Sequence, residues 1–234
     1  MIKAPENHII FENVSLKRGE RCVFDDFSVT LTERRIGLIG ANGSGKSSLL
    51  RLINGLLLPD HGCVYVNTLE TREHRKQLPA HVGFVFQNPD HHLLFPTVRE
   101  ELAFGLIEQG ISPLEADRLV QICLEKHDCP DWGSRVIHDL SEGQKQRVCL
   151  MSVMITNPVV LLLDEPFSSL DLRQSYLFHQ RITQLHQSVI MACHQFEFLE
   201  TFERVIWLDH GKIKADGAPQ DVIFAYRAFA VRDA

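Results

Sequence analysis

The sequence predicts an α/β protein: a mainly parallel core sheet, antiparallel strands ahead of it, and an inserted helical segment. Three observations lead there. Short apolar runs at 36–40, 81–86, 159–163, 189–193 and 205–208 have strand length and clear ends. Helically spaced segments lie between several of them, and strand–helix alternation implies a parallel sheet covered by helices. One of these strands runs into a glycine-rich loop, Gly40-Ala41-Asn42-Gly43-Ser44-Gly45-Lys46-Ser47, which opens a helix.

In chain order, 8–16 and 23–31 show partial apolar alternation around a Lys17-Arg18-Gly19-Glu20 turn, a pair of strands. After the 36–40 strand, Leu49, Leu50, Leu52 and Ile53 have helical spacing, and the helix stops at Gly55. Pro59-Asp60-His61-Gly62 is a turn before a strand at 63–66. The 81–86 strand ends at Gln87-Asn88-Pro89-Asp90. From 97 to 157 the pattern turns helical, through Val98, Leu102 and Leu106, then Leu119, Ile122 and Cys123, then 148–155. Strands return at 159–163, 189–193 and 205–208, with helices expected over 172–186 and 195–202. No repeat or linker interrupts the chain. It reads as one domain, 1–234, with a core at 8–96 and 158–230 and a helical subdomain at 97–157.

The length, 234 residues, is enough to bury a core without disulfides. A net charge of −6 gives no basic footprint for nucleic acid. The six cysteines form no Cys-x-x-Cys pair and several sit in apolar runs, which fits reduced core thiols rather than a disulfide frame or zinc site. Residues 1–7 lack the apolar core of a signal peptide. No apolar stretch approaches the ~20 residues of a membrane-spanning helix. Work at a membrane would therefore be done from its surface, through another chain.

The glycine-rich loop fits Gly-x-x-x-x-Gly-Lys-Ser, in which backbone N–H groups cradle phosphate oxygens at a helix amino terminus. Lys46 is expected to reach the β/γ-phosphates and Ser47 to bind Mg²⁺, with Ser48 next on the helix. The strand 159–163 ends in two acids: Asp164 for the Mg²⁺ shell, through water, and Glu165 to polarise the water that attacks the γ-phosphate. Alone, such a strand end is an ordinary surface feature; after a phosphate loop it points to nucleotide hydrolysis.

Leu140-Ser141-Glu142-Gly143-Gln144 resembles the signature sequence of ABC ATPases, usually Leu-Ser-Gly-Gly-Gln, and the likeness extends over about 8–224. It implies a P-loop NTPase fold with a RecA-like core sheet, an N-terminal antiparallel β-subdomain and a helical subdomain. It further implies that Ser141, Gly143 and Gln144 close on ATP held by a second copy. By the same resemblance Gln87 reaches Mg²⁺, Asp171 belongs to a loop crossing between subunits, and His194 contacts the γ-phosphate. Two positions depart from the pattern. Glu142 replaces a glycine, and its carboxylate must point away from a triphosphate. Where the family has an aromatic residue on adenine, Arg18 falls closest, and its planar guanidinium can stack instead; GTP use stays open.

A small-molecule kinase has no reason for the Leu140–Gln144 element, and repair or translation ATPases of this family carry coiled coils or a second ATPase domain. The expectation is a transporter motor at the cytoplasmic face of the inner membrane. The segment from Gln87 through Phe95-Pro96-Thr97-Val98 to Gly105 resembles energy-coupling-factor importer ATPases, most of all the short ones of biotin importers, with cobalt or nickel importers as the alternative. The resemblance implies a second copy of the chain, a transmembrane coupling subunit and a substrate-binding membrane subunit as partners, and no contact with the transported substrate. His91 and His92 are read as solvated or partner-facing. Asp90, Glu100 and Glu101 are candidates to pair with an arginine of the coupling subunit.

Overall fold

The computed structural model describes residues 8–232, the side chain of Arg232 excepted. The reading of residues 1–7 lies outside the described residues, as do 233 and 234 in the expected domain. Two sheets and a helical subdomain make up the fold. The amino-terminal sheet is antiparallel, in the order β2 (Arg21–Leu31), β1 (Ile9–Arg18), β4 (His61–Val66), β5 (Leu69–Glu70). Along β1 the buried residues are Ile9, Phe11, Val14 and Leu16. The step of three from Phe11 to Val14 is a bulge, where Asn13 adopts φ 48°.

The core sheet runs β10 (Lys212–Gly217), β9 (Arg204–Asp209), β3 (Arg35–Ile39), β8 (Ser188–Ala192), β7 (Val160–Asp164), β6 (Val82–Val85). All neighbours are parallel except the β9–β10 edge pair. Strands β3, β6, β7 and β8 are buried at every residue, as a sheet covered on both faces requires. One face packs with α1 (Lys46–Ile53) against the amino-terminal sheet. The other lies under α5 (Leu172–Thr183), α6 (Pro219–Arg232) and the near side of α4 (Glu142–Met154). Leu50, without exposed surface in the first of these layers, would cost about 2–5 kcal/mol on truncation to Ala.

The helical subdomain holds α2 (Val98–Glu108), α3 (Pro113–Lys126) and α4, each opened by a hydroxyl cap: Thr97, Ser112 and Ser141. Three expectations need correction. The buried face of α3 is Ala116, Val120 and Leu124, whereas Ile122 is 45% exposed. Segment 195–202 is no regular helix but a single 3₁₀ turn, Phe196–Phe198, and further turns. Phe198 lies 4.4 Å from Phe167, 5.3 Å from Tyr176 and 5.0 Å from His179 between ring centroids, so packing onto the sheet overrides the helical spacing. Helix α5 ends at Thr183 rather than at 186, and the Arg35 guanidinium takes up the carbonyls of Ile182, Leu185 and Gln187.

The loop after Gln87 also differs from expectation. His91 is exposed, but His92 turns inward, with Nε2 2.9 Å from Ser152 Oγ and its ring edge-on to Phe86. Burial pushes its pKa from 6.5 to about 4, and burial does the same to His127 in the helical subdomain. Depressed folded-state values mean that the unfolded chain binds more protons between pH 6.5 and 4, so stability is lost as pH falls through that window. Calorimetric melting should show this fall, and His92→Asn should flatten it; an unchanged slope places the titration elsewhere. Glu101 is not free for a partner: it is 6% exposed and its Oε2 accepts from the N–H groups of Leu94 (2.8 Å) and Phe95 (3.0 Å). Glu100 closes the Thr97 capping box, and Asp90 meets Lys145 at 2.8 Å.

Candidate active site

The carboxyl ends of β3, β8, β7 and β6 lie side by side, and each delivers one part of the site. The loop Gly40–Gly45 leaves β3 and opens α1. Gly40 adopts φ 144°, and a Cβ there would meet the Leu208 carbonyl oxygen at 2.1 Å, so only glycine lets the loop turn beneath β9. Lys46 is 5% exposed and its Nζ donates to the carbonyls of Gly40 (2.7 Å) and Ala41 (3.2 Å), spanning the loop. Its burial lowers its pKa, partly offset by the nearby Glu165 and Asp164. Ser44 Oγ is buried and has no hydrogen-bond partner among the described residues.

Asp164 ends β7 and accepts a 2.9 Å bond from Ser47 Oγ; burial raises its pKa despite that bond. These are hard oxygen donors of the kind Mg²⁺ takes, with room for phosphate oxygens and water. The next residue, Glu165, has φ 48°, a left-handed conformation unusual for a non-glycine residue, fixed by its N–H donating to Ala192 O at 2.9 Å. This turn aims its carboxylate between two neighbours: Gln87 Nε2 donates to Oε2 at 3.1 Å, and His194 Nε2 lies 3.0 Å from Oε1. Residues from three separate strand ends thus meet on one carboxylate.

A cleft of about 540 Å³ lies over these groups, lined by Arg18, Arg21, Val23, Asn42, Gly43, Gly45, Lys46, Ser47, Ser48, Gln87 and Glu165. Such a volume suits a small ligand. No lining residue is aromatic. Arg18 and Arg21 are paired across the end of the β1–β2 hairpin, and Arg21 Nη2 donates to Gly43 O at 2.6 Å, tying the hairpin to the loop. Sequence reasoning missed Arg21; its place after a Gly-Glu turn, opposite Arg18, was the available signal.

Ser141, Gly143, Gln144 and Asp171 do not line this cleft. Ser141 and Gln144 form a capping box, with Gln144 N–H donating to Ser141 Oγ and Ser141 N–H to Gln144 Oε1. Asp171 caps α5 through Gln174 N–H at 2.8 Å. Glu142 turns toward Lys145, 3.5 Å away, and so is paired along its own helix. The motif-bearing segments of the sequence therefore fall into two separate surfaces.

The ABC transporter family model matches residues 24–168. The biotin transport ATP-binding protein BioM of Rhodobacter capsulatus is 44% identical over 92% of this chain and 92% of its own length. BioM of Rhizobium etli is 37% identical over 95% and 99%. Among solved structures, a dimeric post-hydrolysis state of the ATP-binding cassette MJ0796 with ADP and Pi superposes with a TM-score of 0.79 at 26% identity, covering 90% of this chain and 98% of that one. CbiO1 of Clostridium perfringens, part of a CbiONQ transporter complex, shares the fold with a TM-score of 0.80 at 24% identity, over 92% and 90%. No described helix is long and apolar enough to cross a membrane. The chain belongs to the ABC transporter family, as an ATP-binding subunit that hydrolyses ATP.

Proposed function

We propose that two copies of this chain form the motor of an energy-coupling-factor importer that takes up a vitamin, biotin. One observation carries the dimeric mechanism: the phosphate loop, Gln87 and Glu165 share one cleft, with His194 in the adjoining hollow on the other side of Glu165, while Ser141, Gly143 and Gln144 lie outside both. Each site then needs the signature end of the other copy. Lys46, the loop amides and Ser44 would hold the phosphates; Ser47, Asp164 and Gln87 would hold Mg²⁺, which would offset phosphate charge when bound. Glu165 orients and deprotonates the attacking water, His194 contacts the γ-phosphate, and Asp171 keeps the loop between subunits in register. Catalysis of this kind is chiefly positioning and charge stabilisation, so separating the half-sites stops it.

Phe104 and Ile107 on α2, and Leu94 in the loop before it, are exposed apolar residues, and there the coupling subunit would dock. Biotin is supported by the two BioM relatives. The test is co-purification with membrane subunits from its own cells, followed by identification of the retained small molecule. Retained cobalt or nickel would overturn biotin; failure to bind any membrane subunit would overturn the importer.

Base recognition should be loose. The arginines at the cleft mouth can stack on either purine, and their N–H donors match guanine O6 and N7 better than adenine N6 and N7. GTP is expected to compete with ATP within about tenfold, since no group in the lining is placed to reject it. Competition binding checks this, and a preference for ATP far beyond that range refutes it.

A further inference from the structure

A second cleft, of about 240 Å³, lies between the helical subdomain and the core, behind the signature helix. Its lining includes Trp132, Gly143, Gln144 and Arg147 from the helical side and Gln174 and Arg181 from α5. Arg147 stacks on the Trp132 ring, its guanidinium carbon 5.0 Å from the centroid. Its Nε and Nη2 are buried without a hydrogen-bond partner among the described residues. Buried guanidinium donors are rarely left so, because a donor taken out of water with no partner keeps its full desolvation cost. The neighbouring Arg135 is in a different position: its charge is met by Asp131 at 2.5 Å.

Arg181 brings a second positive charge to the same space. Its pKa is lowered by burial and then by repulsion from Arg147; Asp128 is the opposing charge, and no hydrogen bond joins Asp128 to Arg181 among the described residues. Two like charges therefore face each other from two parts of the fold, with the side-chain amides of Gln144 and Gln174 beside them. Guanidinium forks each bind two oxygens of one anion. The geometry points to a binding site for a tetrahedral oxyanion, a phosphate or phosphomonoester, held by Arg147 and Arg181 and bridging the helical subdomain to the core. Occupation cancels the repulsion and ties α5 to the helix that begins at the signature residues, so the site reports on, and influences, that end of the molecule. It is separate from the cleft of Lys46 and does not rest on the importer reading.

The site is proposed for phosphate from solution; the nucleotide of a second copy is the competing source, and the test separates the two. The chain has two tryptophans. A Trp207→Phe background leaves Trp132 as the reporter, and Lys46→Ala removes phosphate binding at the glycine-rich loop. Inorganic phosphate should still produce a saturable change in Trp132 fluorescence in that protein. Adding Arg181→Gln should weaken it about tenfold or more, the effect of losing one charge-assisted fork, with partial recovery in Arg181→Lys. Without phosphate, Arg181→Gln should melt no lower than its parent, because it removes a repulsion. No phosphate response with Lys46→Ala, or a response indifferent to Arg181→Gln, overturns the site. So does a marked loss of melting temperature, which makes Arg181 a structural residue. In the chain with Lys46 intact, an effect of Arg181→Gln on ATP-driven dimerisation, with none on the phosphate response, assigns the arginines to the partner's nucleotide and also overturns the site.

Discussion

Glu165→Gln should keep ATP bound yet lose turnover by about 10²–10⁴-fold, the contribution of a positioned general base. The argument rests on where the carboxylate sits. The αL turn at φ 48° and the bond to Ala192 O hold the backbone, while Gln87 and His194 hold the two oxygens. Glutamine fills the same volume, and its carbonyl still accepts from Gln87, so the cleft keeps its shape. What disappears is the capacity to take a proton from water. Nucleotide binding rests on Lys46 and the loop amides, which the substitution does not touch. Trapped in the ATP state, the variant should accumulate as a dimer on a sizing column. Turnover near that of the parent chain would remove Glu165 from the role of base.

Much of this was readable from sequence because the phosphate loop and the two acids at the end of β7 are continuous segments with their own local geometry. Gly40 to Ser47 must turn in one way to leave β3 and begin α1, and Asp164 closes a buried strand. The order β3, β8, β7, β6 then brings His194, Glu165 and Gln87 together, a juxtaposition of strands distant in sequence that no spacing could reveal. The family resemblance supplied it instead. What stayed hidden was decided by tertiary packing. His92 and Glu101 sit among loop and helix-start residues that look solvent-facing, yet each satisfies a neighbour in the interior. Ile122 has the right spacing for α3 but faces outward, because the subdomain core is met by Ala116, Val120 and Leu124. β10 and α6 were also missed. The alternating exposure of β10 and the amphipathic α6 become meaningful only once β9 and Trp207 offer a surface to cover, with Tyr226 and Phe229 packed on that indole at 5.2 and 5.1 Å.

The division of the site into two surfaces yields the other large effect. Lys46→Ala removes the buried ammonium that spans the loop, and ATP affinity should collapse. Gly143→Asp instead places a carboxylate at the signature end; its Cβ would meet the side-chain amide of Gln174 alone, Oε1 at 2.0 Å, Cδ at 2.6 Å and Nε2 at 3.0 Å, the far end of a flexible side chain that can swing away, so the fold should tolerate it. Close to a triphosphate that charge is repelled, and the second variant should bind ATP in its own cleft but not hydrolyse it. Each variant alone is therefore expected to be inactive. Mixed, they form some dimers in which the intact Lys46 of one copy faces the intact Gly143 of the other, one complete site per mixed dimer. Equal amounts should recover about a quarter of wild-type activity, because half the dimers are mixed and each has one of two sites, if pairing is random and the sites fire independently. A site complete within one chain cannot be rescued in this way, since no mixture repairs either protein. Activity that stays at background on mixing, with dimers present, would mean that hydrolysis is carried out within a single copy.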